Sequence, residues 1–123
     1  MKILLVDNSK TMRTIQRNLL SKMGYTQVEE ACDGLDALSK VGAVSPDLIL
    51  VDWNMPHMDG LTFVKQYRAG GGKAPVVMVT TEAEKSRVID AIKAGVNNYV
   101  VKPFTPESFA ARITETLAKL VLA

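Results

Sequence analysis

Leu48-Ile49-Leu50-Val51-Asp52-Trp53-Asn54-Met55-Pro56-His57-Met58-Asp59-Gly60 is the stretch that decides the fold. Four aliphatic residues in a row read as a strand buried on both faces. Pro56 and Gly60 then break regular structure. Asp52 therefore stands at the carboxyl end of a buried strand, where open α/β sheets place their ligands. What Asp52 binds, or what becomes attached to it, is the functional question.

Outward from this stretch, strand-like and helix-like patterns alternate five times. Lys2 to Asp7 reads as a strand, and Met12, Ile15, Leu19, Leu20 and Met23 recur at helical spacing before Gly24. Thr26 to Ala31 is a less apolar strand, expected nearer an edge. Leu35, Leu38 and Val41 mark a short helix. Asp47 to Asp52 is the third strand, Leu61 to Arg68 a helix, and Gly70-Gly71-Gly72 a turn. Pro75 to Thr80 is the fourth strand. Thr81-Glu82-Ala83-Glu84 reads as a capping box, opening a helix with Val88, Ile89 and Ile92 as its buried stripe and Gly95 as its end. Asn98 to Val101 is the fifth strand. Thr105 and Pro106 supply an N-cap and first helical residue for a last helix with the stripe Phe109, Ile113, Leu117 and Leu120. Such alternation with short links predicts an α/β fold, a parallel sheet with helices on both faces. All strand ends then gather on one edge, which receives Asp7, Asn8, Asp52, Thr80 and Lys102.

A chain of 123 residues, 47% hydrophobic and 23% charged, suits one soluble domain, residues 1–123. A net charge of +2 is too small to argue for nucleic acid or an anionic membrane as main partner. The single cysteine, Cys32, allows no internal disulfide and fits a reducing compartment. Ile3 to Val6 is too short for a signal-peptide core or a membrane span, so a cytoplasmic location is expected.

Singly, Asn8 or Ser9, Thr80 or Thr81, and Lys102 read as helix caps and a surface lysine. Together on one edge they suggest chemistry. Carboxylates about 4–5 Å apart repel by roughly 4 kcal/mol at an effective dielectric near 20. A hard divalent cation such as magnesium offsets this. A carboxylate nucleophile, magnesium, an ammonium and a hydroxyl make a site equipped for phosphoryl transfer to Asp52.

The strings Leu4-Leu5-Val6-Asp7, Asp52-Trp53-Asn54-Met55-Pro56 with Asp59-Gly60, Val79-Thr80, and Tyr99-Val100-Val101-Lys102-Pro103-Phe104 resemble the receiver domains of two-component response regulators, over essentially the whole chain. Among these the sequence looks most like single-domain chemotaxis regulators. The resemblance implies a flavodoxin-like (βα)5 fold with five parallel strands in the order 2-1-3-4-5. It implies that Asp52 is the phosphoacceptor, served by a partner histidine kinase. Asp7, Asp52 and the Asn54 backbone carbonyl would bind Mg2+. Thr80 would turn toward the phosphoryl group, Tyr99 would move inward, and Lys102 would contact the phosphate. The face made by the fourth helix, fifth strand and fifth helix would then change partner, such as the flagellar motor switch, with a phosphatase to reset it. The protein would be a monomeric switch that assists its own phosphorylation and dephosphorylation rather than an enzyme. A stand-alone receiver in another phosphorelay is the alternative. An aspartate-nucleophile phosphohydrolase fits less well, since Asn54 stands where its D-x-D pattern has a second aspartate. A flavin module fits less well too, for want of a phosphate loop after the first strand.

One position departs from the pattern. Receivers usually carry two adjacent acidic residues after the first strand, and here the pair is Asp7-Asn8. A neutral amide at Asn8 implies weaker magnesium binding and a looser hold on Lys102. Four other residues read as unremarkable: His57 as a solvated loop residue, Cys32 as a small buried or half-buried one, and Met55 with Met58 as packing or loop residues. Glu84, Lys85 and Arg87 read as a solvated helix face.

Overall fold

The computed structural model describes residues 1–81 and 87–122. Strands β1 (Lys2–Val6), β2 (Gln27–Ala31), β3 (Leu48–Asp52), β4 (Val76–Thr81) and β5 (Asn98–Lys102) alternate with helices α1 (Lys10–Lys22), α2 (Gly34–Val44), α3 (Gly60–Ala69), α4 (Val88–Ala94) and α5 (Pro106–Leu122). All neighbouring strands are parallel, in the order β2-β1-β3-β4-β5. The expected (βα)5 topology is the observed one. β2, the least apolar strand, does lie at an edge.

Strand alternation divides the core into two layers. Ile3, Leu5, Leu48, Leu50, Val77, Val79 and Val100 pack against Leu20 of α1 and against Phe109 and Ile113 of α5. Leu4, Val6, Ile49, Val51, Val76 and Met78 pack against Ala37 of α2, Phe63 and Val64 of α3, and Ala91 of α4. Every residue of β3 is buried, as its unbroken apolar run requires.

Local chemistry sets the helix ends. Ser9, Asp33 and Asp59 cap α1, α2 and α3 by accepting from the backbone N–H groups of Met12, Asp36 and Thr62. Thr105 and Ser108 exchange reciprocal hydrogen bonds of 3.0 Å at the start of α5, as the expected N-cap there requires. Gly95 ends α4 at φ +110°, a left-handed conformation that glycine adopts without strain. The β2 edge is blunted by cations: Arg17 donates to the Val28 carbonyl at 3.0 Å and Lys40 to the Glu30 carbonyl at 2.6 Å. Both occupy groups that a foreign strand would otherwise pair with.

Three expectations need correction or limits. Ile89 and Ile92 are 67% and 59% exposed, and Ala91 is the residue of α4 that is buried. Ala91 joins Met78 and Val96 in the core, and Ile89 and Ile92, one helical turn apart on another face of the helix, turn outward. Cys32 is exposed, because β2 ends one residue before it and the chain leaves the sheet there. The capping box cannot be placed, since residues 82–86 lie outside the described residues; Thr81 itself ends β4.

Candidate functional site

The site forms where β1, β3 and β5 end. The register pairs Val6 with Val51, so Asp7 and Asp52 come next side by side. Asp52 continues the alternation of Leu48 and Leu50, and Lys102 that of Val100, toward the α1/α5 layer. The carboxylates are 2% and 7% exposed. Lys102 Nζ bridges them, 3.4 Å from Asp7 Oδ2 and 3.2 Å from Asp52 Oδ1. The lysine is thus held by both aspartates, although Asn8 is neutral.

Asp7 is fixed from several directions. Its Oδ1 accepts the Ser9 N–H at 2.8 Å, and its own N–H donates to the Ala31 carbonyl at 3.1 Å. Asn8 is exposed, as is Asn54, whose carbonyl was expected to serve as a metal ligand.

Gly60 holds the β3–α3 loop beneath Asp52. Its N–H donates to the Trp53 carbonyl at 2.8 Å, and a Cβ there would lie 2.1 Å from the Asp52 carbonyl oxygen. Only a residue without a Cβ permits that approach.

Thr80 and Tyr99 sit on the opposite side of the sheet. Thr80 follows the alternation of Val76 and Met78, and Tyr99 packs against that same core with Trp53. Thr80 is 1% exposed and its Oγ1 donates to the Thr81 carbonyl at 3.2 Å. Trp53, Thr80 and Tyr99 help line one cavity of about 260 Å3 between the sheet, α4 and α5. The Arg112 guanidinium covers the Tyr99 ring at 5.2 Å, and Arg87 covers Trp53 at 5.6 Å. Arg87 is therefore exposed but engaged.

His57 is a loop residue with 68% of its side chain exposed, as expected, yet its Nδ1 lies 2.9 Å from Asp33 Oδ2. The Asp36 backbone N–H and then the His57 ring hold the Asp33 carboxyl below its usual range. Partial desolvation by its neighbours pushes the Cys32 thiol up, and the Asp33 and Asp36 charges add to it, so this exposed thiol is a poor nucleophile at neutral pH.

Sequence reasoning missed Arg13 and Glu30. Arg13 Nη1 donates to the Asp7 carbonyl, and its Nε donates to Glu30 Oε1 at 2.8 Å. Their only sequence signal is two arginines at i, i+4 on α1, which names no partner.

Among the described residues, no group of three or more His, Cys, Asp or Glu side chains is placed to hold a metal. Asp7 and Asp52 nevertheless fit magnesium as a donor set: they are two buried hard-oxygen ligands, and such an ion would take further oxygens to complete its shell.

A doubly wound parallel sheet with two aspartates and a lysine at its carboxyl edge defines the class, and residues 3–114 match the model of the response regulator receiver domain. The chain belongs to that family. It is 48% identical over 120 residues to the chemotaxis protein CheY1 of Helicobacter pylori strain J99, covering 95% of this chain and 97% of that protein. It is 47% identical to the CheY homolog of Campylobacter jejuni, covering 95% and 92%. Among solved structures, the chemotaxis response regulator CheY4 of Vibrio cholerae superposes with a TM-score of 0.86 at 35% identity, covering 94% and 97%. Among the described residues no helix is long and apolar enough to cross a membrane.

Proposed function

We propose that the chain is a phosphorylation-controlled switch in chemotaxis signalling. Asp52 attacks the phosphorus of a phosphohistidine on a partner kinase. A P–O bond to its carboxylate forms, the P–N bond breaks, and the imidazole leaves with a proton. The observation that carries this reading is the bridge of Lys102 to both Asp7 and Asp52 at the carboxyl edge of the sheet. It sets the Asp52 carboxylate beside a positive charge, which supports its reading as a nucleophile.

Magnesium, when bound, supplies charge neutralisation for the transferring phosphoryl group. Asp7, Asp52 and the Asn54 carbonyl would hold it, with Asn8 as a weak neutral substitute for a carboxylate. Lys102 touches Asp52 and would hold the phosphoryl oxygens. Thr80 and Tyr99 share a cavity on the far side of the sheet. Movement of Thr80 toward the phosphoryl group opens room for the Tyr99 ring, and Arg112 then loses its stacking partner. The α4–β5–α5 face changes shape in this way and changes its partner, for which the flagellar motor switch is the first candidate. The phosphate favours the second shape only by the free energy of its better contacts there.

The test exposes the purified protein, with magnesium, to a small phosphodonor and measures its mass. One stoichiometric phosphoryl group, lost slowly and absent in Asp52→Ala, is expected. Steady turnover of the donor without a labelled protein would instead indicate a phosphohydrolase and overturn the reading.

A further inference from the structure

We propose that Arg13 is a positioning residue for Asp7, fixing the peptide from which the site's metal-facing carboxylate springs; this rests on the magnesium-dependent reading above. Asp7 is the first residue after β1, and its N–H donates to Ala31, the last residue of β2. No strand amide follows on β2 to take the Asp7 carbonyl. Arg13, one turn into α1, supplies the missing donor through Nη1.

The guanidinium is itself held. Its Nε donates to Glu30 Oε1 at 2.8 Å, and only 14% of the Arg13 side chain is exposed. Glu30 is held in turn by Arg17, through Nε at 3.0 Å and Nη2 at 2.7 Å, and Arg17 Nη2 also reaches the Val28 carbonyl. Burial alone would raise the Glu30 carboxyl, but the two arginines outweigh it and hold it below its usual range. Glu30 therefore stays ionised at neutral pH and keeps the fork in place. The strut runs from the β2 edge through two arginines to the Asp7 backbone.

Its importance follows from Asn8. With a neutral amide at that position, Asp7 is the one carboxylate that the β1–α1 junction brings to the site. Rotation of the Asp7–Asn8 peptide would swing that carboxylate away from Asp52 and Lys102. A lysine at position 13 keeps the charge but cannot make two divergent hydrogen bonds in a fixed plane.

The probe is Mg2+ alone, titrated against Trp53 fluorescence in native protein, Arg13→Lys, Arg13→Ala and Glu30→Gln. Amide exchange at Ser9, whose N–H binds the Asp7 carboxylate, is measured alongside. Arg13→Lys and Arg13→Ala are expected to weaken Mg2+ about tenfold, in line with outer-shell partners at metal sites, with faster exchange at Ser9. Glu30→Gln is expected to shift both in the same direction by less. Removing a positive charge would by itself tighten cation binding, so weaker binding in Arg13→Ala identifies geometry. Native affinity and native Ser9 exchange in folded Arg13→Lys and Arg13→Ala would overturn the proposal, even if both variants melt earlier. A native protein that shows no response to Mg2+ would overturn the magnesium reading and this proposal together.

Discussion

Replacing Lys102 with methionine separates the electrostatics of the site from its packing. The ammonium lies 3.2 Å from Asp52 Oδ1 and 3.4 Å from Asp7 Oδ2. At an effective dielectric near 20, each contact carries about 5 kcal/mol of gross attraction. Desolvation offsets much of that. The lysine side chain also keeps 17% of its surface in water, which screens it further. The expected net loss in the metal-free variant is about 2–3 kcal/mol, somewhat less than for a fully buried pair. At this chain length that lowers Tm by roughly 8–12 °C. Magnesium acts the other way: without the ammonium that competes for both carboxylates, it should bind about tenfold tighter, a gain near 1.4 kcal/mol. At about 100 times its Kd the ion contributes roughly 2.7 kcal/mol and nearly restores native stability. Phosphoryl labelling of Asp52 falls even as metal affinity rises. Urea denaturation across a magnesium series measures the first two effects, and mass spectrometry the third. A metal-free variant as stable as native protein, or one with unchanged or weaker magnesium affinity, would refute the view that Lys102 offsets Asp7 and Asp52.

Asn8→Asp adds a third carboxylate beside Asp7 and should tighten magnesium about tenfold by Trp53 fluorescence, a gain near 1.4 kcal/mol; an unchanged midpoint would remove Asn8 from the account. Gly60→Ala drives a methyl group into the Asp52 carbonyl, 2.1 Å away, and should cost at least about 1–3 kcal/mol in urea unfolding while slowing phosphorylation. An unfolding midpoint equal to that of the native protein would show that the loop relaxes freely. The Glu30 carboxyl, raised by burial but lowered further by Arg17 and Arg13, has a depressed folded pKa. Its stabilisation is fully present above the unfolded value of 4.5 and is lost as pH falls through the lower folded value. Glu30→Gln should therefore flatten the acid limb of urea midpoints below pH 4.5, and an identical limb would show that the arginine pair contributes nothing to it.

The parallel βα alternation and the meeting of Asp7, Asp52 and Lys102 were legible because each depends on short-range pattern, whereas the strand order came only with the resemblance to receiver domains. An unbroken apolar run must be buried on both faces, and parallel strands must end on one edge. The face that α4 turns inward was not legible. Ile89 and Ile92 are the more apolar residues, yet Ala91 is the one that joins the core, and which stripe of a short helix meets the core is not written in hydropathy alone. The Arg13–Glu30 strut and the His57–Asp33 pair join residues 17 and 24 positions apart. Local pattern names no partner at such separations. The neutral Asn8 could be seen directly, but its exposure beside a buried Asp7 is a product of the α1 turn.

Asp7, Asp52 and Lys102 face one side of the sheet, and Trp53, Thr80 and Tyr99 the other. In the proposed switch the strands are thus a septum between chemistry and readout, crossed by single steps along β4 and β5. Apart from Thr80, which would couple the two, each surface can drift in sequence with little effect on the other, so a new listener could be accommodated while ion handling is retained. Length is the less forgiving variable. One residue inserted between Tyr99 and Lys102 would turn the ammonium away from both aspartates, because side chains alternate faces along a strand. Substitution should be tolerated across much of either surface, and indels in those short stubs hardly at all.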